Sequence, residues 1–257
     1  MPDIADLLNG LSKVSQPEIV SIVNDGKSRL SAGVRSAVQE LSRELRIQLD
    51  HETSLENARK FVGERHLKLH LGCGSEHKAG WINIDLRPDA DLQLDVREPL
   101  PFGDGTVAIV YSEHFFEHLE YPGEATNLLR ESLRALEPGG VFSVGVPDAE
   151  EILRQYAKGE MPALMQEWSK DENMQWLSPW IWETPMHFVN FVFRQDCEHK
   201  YAYDFETLAR VLGQAGFVNV RRREFRPDLD SEHRRDGTLY VDAAKPISPA
   251  ADSVGAQ

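Results

Sequence analysis

His114-Phe115-Phe116-Glu117-His118 sets two imidazoles and a carboxylate within five residues. Such side chains move protons near neutral pH and ligate divalent metals. The spacing also matches H-x-x-E-H, a zinc peptidase pattern in which two histidines share one helix face and the glutamate serves as base. A second set of groups sits at the ends of short apolar runs. Leu71-Gly72-Cys73-Gly74-Ser75 closes the first run, and glycines there let the backbone turn sharply and approach a ligand closely. His77 stands where a dinucleotide fingerprint would place a third glycine, which disfavours NAD. Asp85 ends the second run, 13 residues beyond Gly72, where a carboxylate can accept hydrogen bonds from both ribose hydroxyls of a nucleoside. Asp95-Val96 ends the third, where a carboxylate can accept from an adenine amino group and a backbone N–H can reach a ring nitrogen.

These groups need strands to hold them. Leu67 to Leu71 alternates like a strand, Trp81 to Asp85 forms a second, Leu92 to Val96 a third, and Val107 to Tyr111 a fourth of buried type. A helix from about Glu124 to Leu136 carries Leu128, Leu129, Leu133 and Leu136 on one face and stops at Glu137-Pro138-Gly139-Gly140. Val141 to Val146 follows as a strand. The alternation predicts a mostly parallel sheet in an α/β core. Asp204 caps a later helix that ends near Gly216, and Phe217 to Phe225 and Thr238 to Val241 read as closing strands.

Five segments follow. Residues 1–64 are a helical extension, with capping boxes at Ser15 to Glu18 and Thr53 to Glu56. Between them Val34, Val38, Leu41, Leu45 and Leu49 form an apolar stripe that packs on the main domain or makes a homodimer contact. Residues 65–150 are the first part of the α/β core and 201–245 its last part. Residues 151–200 hold Trp168, Trp176, Trp180 and Trp182 and form an insertion; 246–257 are a small, polar, disordered tail.

Composition sets limits. The 257 residues are 41% hydrophobic, an ordinary share for a chain with a real core. The formal net charge of −14 argues against nucleic acid as partner, since no basic excess neutralises phosphates. Cys73 and Cys197 cannot build a disulfide framework, the N-terminal residues do not form a signal peptide, and no run is long enough to span a membrane. A cytoplasmic location is expected.

The strings LHLGCGS, INIDL, LDVREPLPFGDGTVAIVYSEHFFEHL and LLRESLRALEPGGVFSVGVPD resemble the class I S-adenosylmethionine-dependent methyltransferases, from about Leu67 to Asp148, with fainter support from YDFETLARVLGQAGF. The resemblance implies a Rossmann-like sheet of seven strands whose last hairpin reverses one strand. It implies that Gly72, Cys73, Gly74 and Ser75 line the methionine and ribose portion of the cofactor, that Asp85 and Leu86 bind the ribose, that Asp95 and Val96 hold the adenine, and that Ser112 passes near the methionine moiety. Within the family the chain is most similar to bacterial sugar O-methyltransferases, including mycobacterial-type polysaccharide enzymes, so the implied activity is methylation of a carbohydrate hydroxyl.

Two departures from the family stand out. His70 replaces the usual acid two residues before the first glycine. Only Ser75 to Gly80 separate Gly74 from the second strand, so the first crossover helix is a single turn or absent. A sugar hydroxyl is a poor nucleophile, and a base or metal is needed. His118 or Asp148 is the expected base with Glu117 as its orienter; His114, His187, His199, Tyr201 and Trp182 are expected at the acceptor, under a lid formed by 151–200. A divalent ion such as Mg²⁺ is compatible with these groups, although no strong ligand spacing marks it. The rivals are another small-molecule acceptor, a non-catalytic scaffold that keeps the cofactor fold, and the zinc peptidase.

Overall fold

The computed structural model describes residues 31–170 and 177–247. The capping box at Ser15 to Glu18, Trp176 and residues 248–257 lie outside the described residues.

Helix α1 (Ala32–Ala58) opens at Ser31, whose hydroxyl accepts a bond from Val34 N at 3.3 Å. It runs unbroken through Thr53, where a second helix start was expected. Thr53 Oγ1 instead donates back to Leu49 O, so its hydroxyl serves the preceding turn and caps nothing. The apolar stripe departs from the first of its two expected roles, packing on the main domain. Leu45 is buried, but Val34, Leu41 and Leu49 are 46%, 43% and 39% exposed, so the stripe as a whole is not packed on the main domain. α1 is held by its other end: Ala58 joins the main core and Ser54 Oγ accepts from Gln93 N.

The core is a six-stranded sheet of β1 (Leu67–Leu71), β2 (Ile82–Ile84), β3 (Val107–Glu113), β4 (Leu136–Pro147), β5 (Val218–Arg222) and β6 (Thr238–Ala244). Their order is β2-β1-β3-β4-β6-β5. β1 to β4 pair in parallel and β6 lies antiparallel to both neighbours, giving the expected reversed strand. The predicted seventh strand at Leu92 to Val96 is reduced to one parallel bridge, Leu92 with Ile84. Its backbone is engaged elsewhere: Gln93 N and Asp95 N donate to α1 side chains rather than to β2.

The first crossover, 72–81, contains no helix, as its length required. A polar layer lies on this face of the sheet. Tyr111 Oη donates to Asp230, Arg223 pairs with Asp230 at 2.6 Å, and Glu113 accepts from Ser231 N and Tyr240 Oη. These bonds tie residues 225–236 to β3 and β6. Elsewhere the crossovers are regular: α2 (Gly123–Ala135) connects β3 to β4 and buries Leu128, Leu129 and Ala135, and α6 (Phe205–Gln214) is capped by Asp204 and precedes β5.

Between β4 and α6 lie α3 (Ala149–Lys158), α4 (Met161–Trp168), a 3-10 turn at Pro179–Trp182 and α5 (Pro185–Arg194). They share a second apolar cluster of Ile152, Met161, Met165, Ile181, Phe188 and Val192. Trp168 meets Phe188 edge-on and Trp182 stacks on it. These two tryptophans are thus core of the insertion. Among the described residues no helix is long and apolar enough to cross a membrane.

Candidate active site

The carboxyl ends of β1, β2 and β3 open onto a cleft of about 760 Å³. This is where open α/β sheets take ligands, because the chain leaves adjacent strands in opposite directions. Gly72 has φ +62°, and a Cβ there would meet the Phe115 ring at 2.2 Å, so only glycine lets Phe115 close against the turn. Gly74 has φ +52° with open space before it. Asp85, at the end of β2, fixes this turn: its carboxylate accepts from Gly74 N at 2.8 Å and from Arg87 N at 3.0 Å. Asp95 is held differently. Arg97 donates to both of its oxygens and also reaches Glu44 of α1 at 2.6 Å. Burial alone would raise the Asp95 carboxyl, but the Arg97 guanidinium outweighs it and holds the carboxyl below its ordinary value.

At the β3 end of the cleft stands an imidazole and carboxylate cluster. Residues Phe116–His118 form one 3-10 turn, and His114 before it has φ +51°. The two histidines of the H-x-x-E-H string are therefore not on one helix face, which removes the zinc peptidase geometry. Glu117 points inward, 2% exposed, and among the described residues neither carboxylate oxygen has a hydrogen-bond partner. Its surroundings push the carboxyl up to about 8, mainly by burial. His114 Nδ1 lies 3.7 Å and His199 Nε2 3.8 Å from Glu117 Oε1, and the His118 and His199 rings meet edge-on at 4.8 Å. Burial, joined by His199 and Arg234, lowers His118 to about 4, and burial lowers His199 and His114 as well, so these imidazoles are neutral near pH 7. The segment carrying His199 is pinned where Lys200 N and Tyr201 N donate to the Glu117 backbone carbonyl at 2.8 and 3.2 Å.

The structure brings together Gly72, Gly74, Asp85, Leu86, Asp95, Val96, His114 and His118 on one cleft. Glu117, His199 and Tyr201 line a small cavity next to it. Cys73 and Ser112 are buried and Ser75 is exposed; none of the three lines the cleft. Burial, with Asp85 nearby, pushes the Cys73 thiol up to about 12, so it is not a nucleophile. Asp148 is drawn into other work: it accepts from Glu151 N as the N-cap of α3 and pairs with Arg222, so it lies away from the cleft it was expected to serve. Trp182 is core of the insertion, and His187 Nδ1 bonds the Trp180 carbonyl, also off the cleft.

Sequence reasoning missed Glu40 and Arg43 of α1, and Arg97, Phe115, Lys200 and Arg234, all on the cleft wall. Arg97 had a signal, a guanidinium two residues after the expected adenine acid. The charged face of α1 had none.

Residues 51–144 match the family model of the methyltransferase domain. No curated protein matches the chain. Among solved structures, a SAM-dependent methyltransferase from Methanosarcina mazei is 16% identical, with 74% of this chain and 97% of that one covered and a TM-score of 0.46. One from Archaeoglobus fulgidus is 17% identical over 76% and 94%, with a TM-score of 0.43. The matched segment holds the glycine turn, Asp85, Asp95 and the His114 to His118 cluster, so this part of the chain is similar to a methyltransferase domain.

Proposed function

We propose that this protein transfers a methyl group from S-adenosylmethionine to a hydroxyl of a carbohydrate acceptor. One observation carries the reading: a single cleft joins the Gly72 to Gly74 turn and Asp85 to a neutral imidazole, His118. The cleft has the size of a cofactor site. The backbone at Gly72 and Gly74 leaves room for close approach, and the Asp85 carboxylate at the strand end suits paired ribose hydroxyls. Asp95 is bound by Arg97, so an adenine there would be held by Val96 N–H and the walls of Ile84 and Leu94 more than by the carboxylate.

Bound, S-adenosylmethionine supplies an electrophilic methyl on a positively charged sulfur. The protein's part is alignment and proton removal. His118 faces the cleft and is neutral, so it accepts the hydroxyl proton as the new bond forms. Glu117, mostly protonated at pH 7, is not the acceptor. Charged side chains around the mouth (Glu40, Arg43, Glu120, Glu124, Glu198 and Lys200) favour a polyhydroxylated acceptor over an apolar one.

The test is transfer of labelled methyl from S-adenosylmethionine to a panel of oligosaccharides. Wild type should label at least one, and His118→Ala should lower its kcat by about 100-fold while leaving S-adenosylhomocysteine affinity within a few fold. Labelling of amines or small acids alone would replace the carbohydrate acceptor. No labelling of any acceptor, with the cofactor bound, would favour the scaffold.

A further inference from the structure

The proton inventory around Glu117 is incomplete. His199 Nδ1 lies 2.7 Å from the Val192 carbonyl, which only accepts, so the ring carries its proton at Nδ1 and its Nε2 is a bare lone pair. Thr238 Oγ1 spends its one proton on the Arg234 carbonyl at 2.6 Å, so it accepts from His114 Nε2 at 2.8 Å, and His114 Nδ1 is bare too. Both bare nitrogens face Glu117 Oε1, at 3.8 and 3.7 Å. A buried carboxyl without a hydrogen bond is costly in either protonation state, and one that faces two more lone pairs leaves a place suited to a positive group between them.

A proton on Glu117 neutralises the carboxyl but leaves both nitrogens at 3.7 and 3.8 Å, beyond the about 2.6–3.2 Å at which a hydrogen bond closes. A metal ion fills this gap. With bonds of about 2.0–2.1 Å, two ligands stand about 3.3 Å apart in a tetrahedron and about 4.2 Å apart in trans. The Glu117, His118 and His199 ligand atoms all lie within 4.8 Å of one another, so small side-chain rotations close the set. The carbonyl behind His199 Nδ1 is the partner that orients metal-bound imidazoles elsewhere.

We infer that Glu117, His118 and His199 form a site for one divalent first-row transition ion. Two imidazoles and a carboxylate suit Zn²⁺ or Co²⁺ and not Mg²⁺. His118 lines the cleft, so the ion's open position would face the acceptor; with the ion bound, His118 would be a ligand, and the hydroxyl, made more acidic by the ion, would lose its proton to solvent in place of the free imidazole. This role rests on the proposed methyl transfer; the site itself does not.

The test is calorimetric titration of untagged, chelator-stripped full-length chain with Zn²⁺, Co²⁺ and Mg²⁺, without cofactor or acceptor. Visible absorption of the Co²⁺ form and S-adenosylhomocysteine binding are followed on the same samples. One Zn²⁺ or Co²⁺ should bind per chain at micromolar or tighter affinity. His199→Ala and Glu117→Gln should each weaken binding by 100-fold or more, and His66→Ala, a surface histidine, should not. Circular dichroism establishes that each variant is folded; should Glu117→Gln fail to fold, His199→Ala and His118→Ala decide. A folded wild type that binds neither ion, or binds only Mg²⁺, overturns the inference, as does Zn²⁺ affinity retained in the folded variants. Zn²⁺ bound without any S-adenosylhomocysteine binding would count against the methyl-transfer reading and leave the site standing.

Discussion

In the proposed function Asp85 and Gly72 carry the cofactor side of the cleft, and each makes a distinct demand. The Asp85 carboxylate holds Gly74 N and Arg87 N in one geometry. Asp85→Ala frees the turn and removes the ribose acceptor, so S-adenosylhomocysteine affinity should drop at least 10-fold by calorimetry. Gly72→Ala brings a methyl within 2.2 Å of the Phe115 ring at a φ that disfavours side chains. It should cost about 2 kcal/mol or more in urea unfolding. Phe115→Ala in that background should recover the steric part of the loss and leave the backbone part. No recovery would mean that the contact with Phe115 does not set the cost. Both residues were legible in the sequence because a glycine turn and a strand-end acid are local signals with fixed spacing. Asp148 misled for the same reason: an acid at a strand end is also a good helix N-cap, and that is what it became.

The elements were legible to different degrees. The leucine periodicity of α2 and the apolar run of β3 announced themselves, because each is buried by its own neighbours. Leu92 to Val96 looked like a strand but gave its amides to Ser54 and His51 of α1, a contact some forty residues away that no local pattern encodes. Trp182, expected at the acceptor, instead closes with Trp168 on Phe188. α1, expected as an appendage, forms one wall of the cleft through Glu40 and Arg43. Besides the contacts of Ser54 and Ala58, its attachment runs through Arg97, which bridges Asp95 and Glu44. Because these side chains are partly exposed, Arg97→Ala should cost about 1–2 kcal/mol in urea unfolding rather than the larger loss of a fully buried pair. It should also weaken S-adenosylhomocysteine binding several-fold. A loss below about 0.3 kcal/mol with unchanged binding would mean that the bridge does not anchor α1.

For the whole molecule, acid sensitivity is written into the polar face of the sheet. His70 is 3% exposed, and burial, reinforced by Lys78, lowers its imidazole to about 3. The unfolded chain binds this proton near pH 6.5 and the folded chain refuses it until far lower. The stability His70 contributes is therefore complete above about pH 6.5 and is lost as pH falls toward 3. Between pH 7 and 5 the loss is at most about 2 kcal/mol. Urea midpoints at both values should show His70→Asn with a smaller acid loss than wild type; equal losses would assign the sensitivity to other groups.

The most direct measurement is the melting temperature of the purified chain with and without S-adenosylhomocysteine. Ligand at about 100 times its dissociation constant adds roughly 2.7 kcal/mol to the folded state. For a chain of this size that is a rise of about 5–10 °C. The expected result is that rise in wild type, its loss in Asp85→Ala at the same ligand concentration, and no response to NAD. A folded wild-type chain that melts at the same temperature with millimolar S-adenosylhomocysteine as without it would contradict the assignment of the Gly72, Gly74 and Asp85 cleft as a cofactor site.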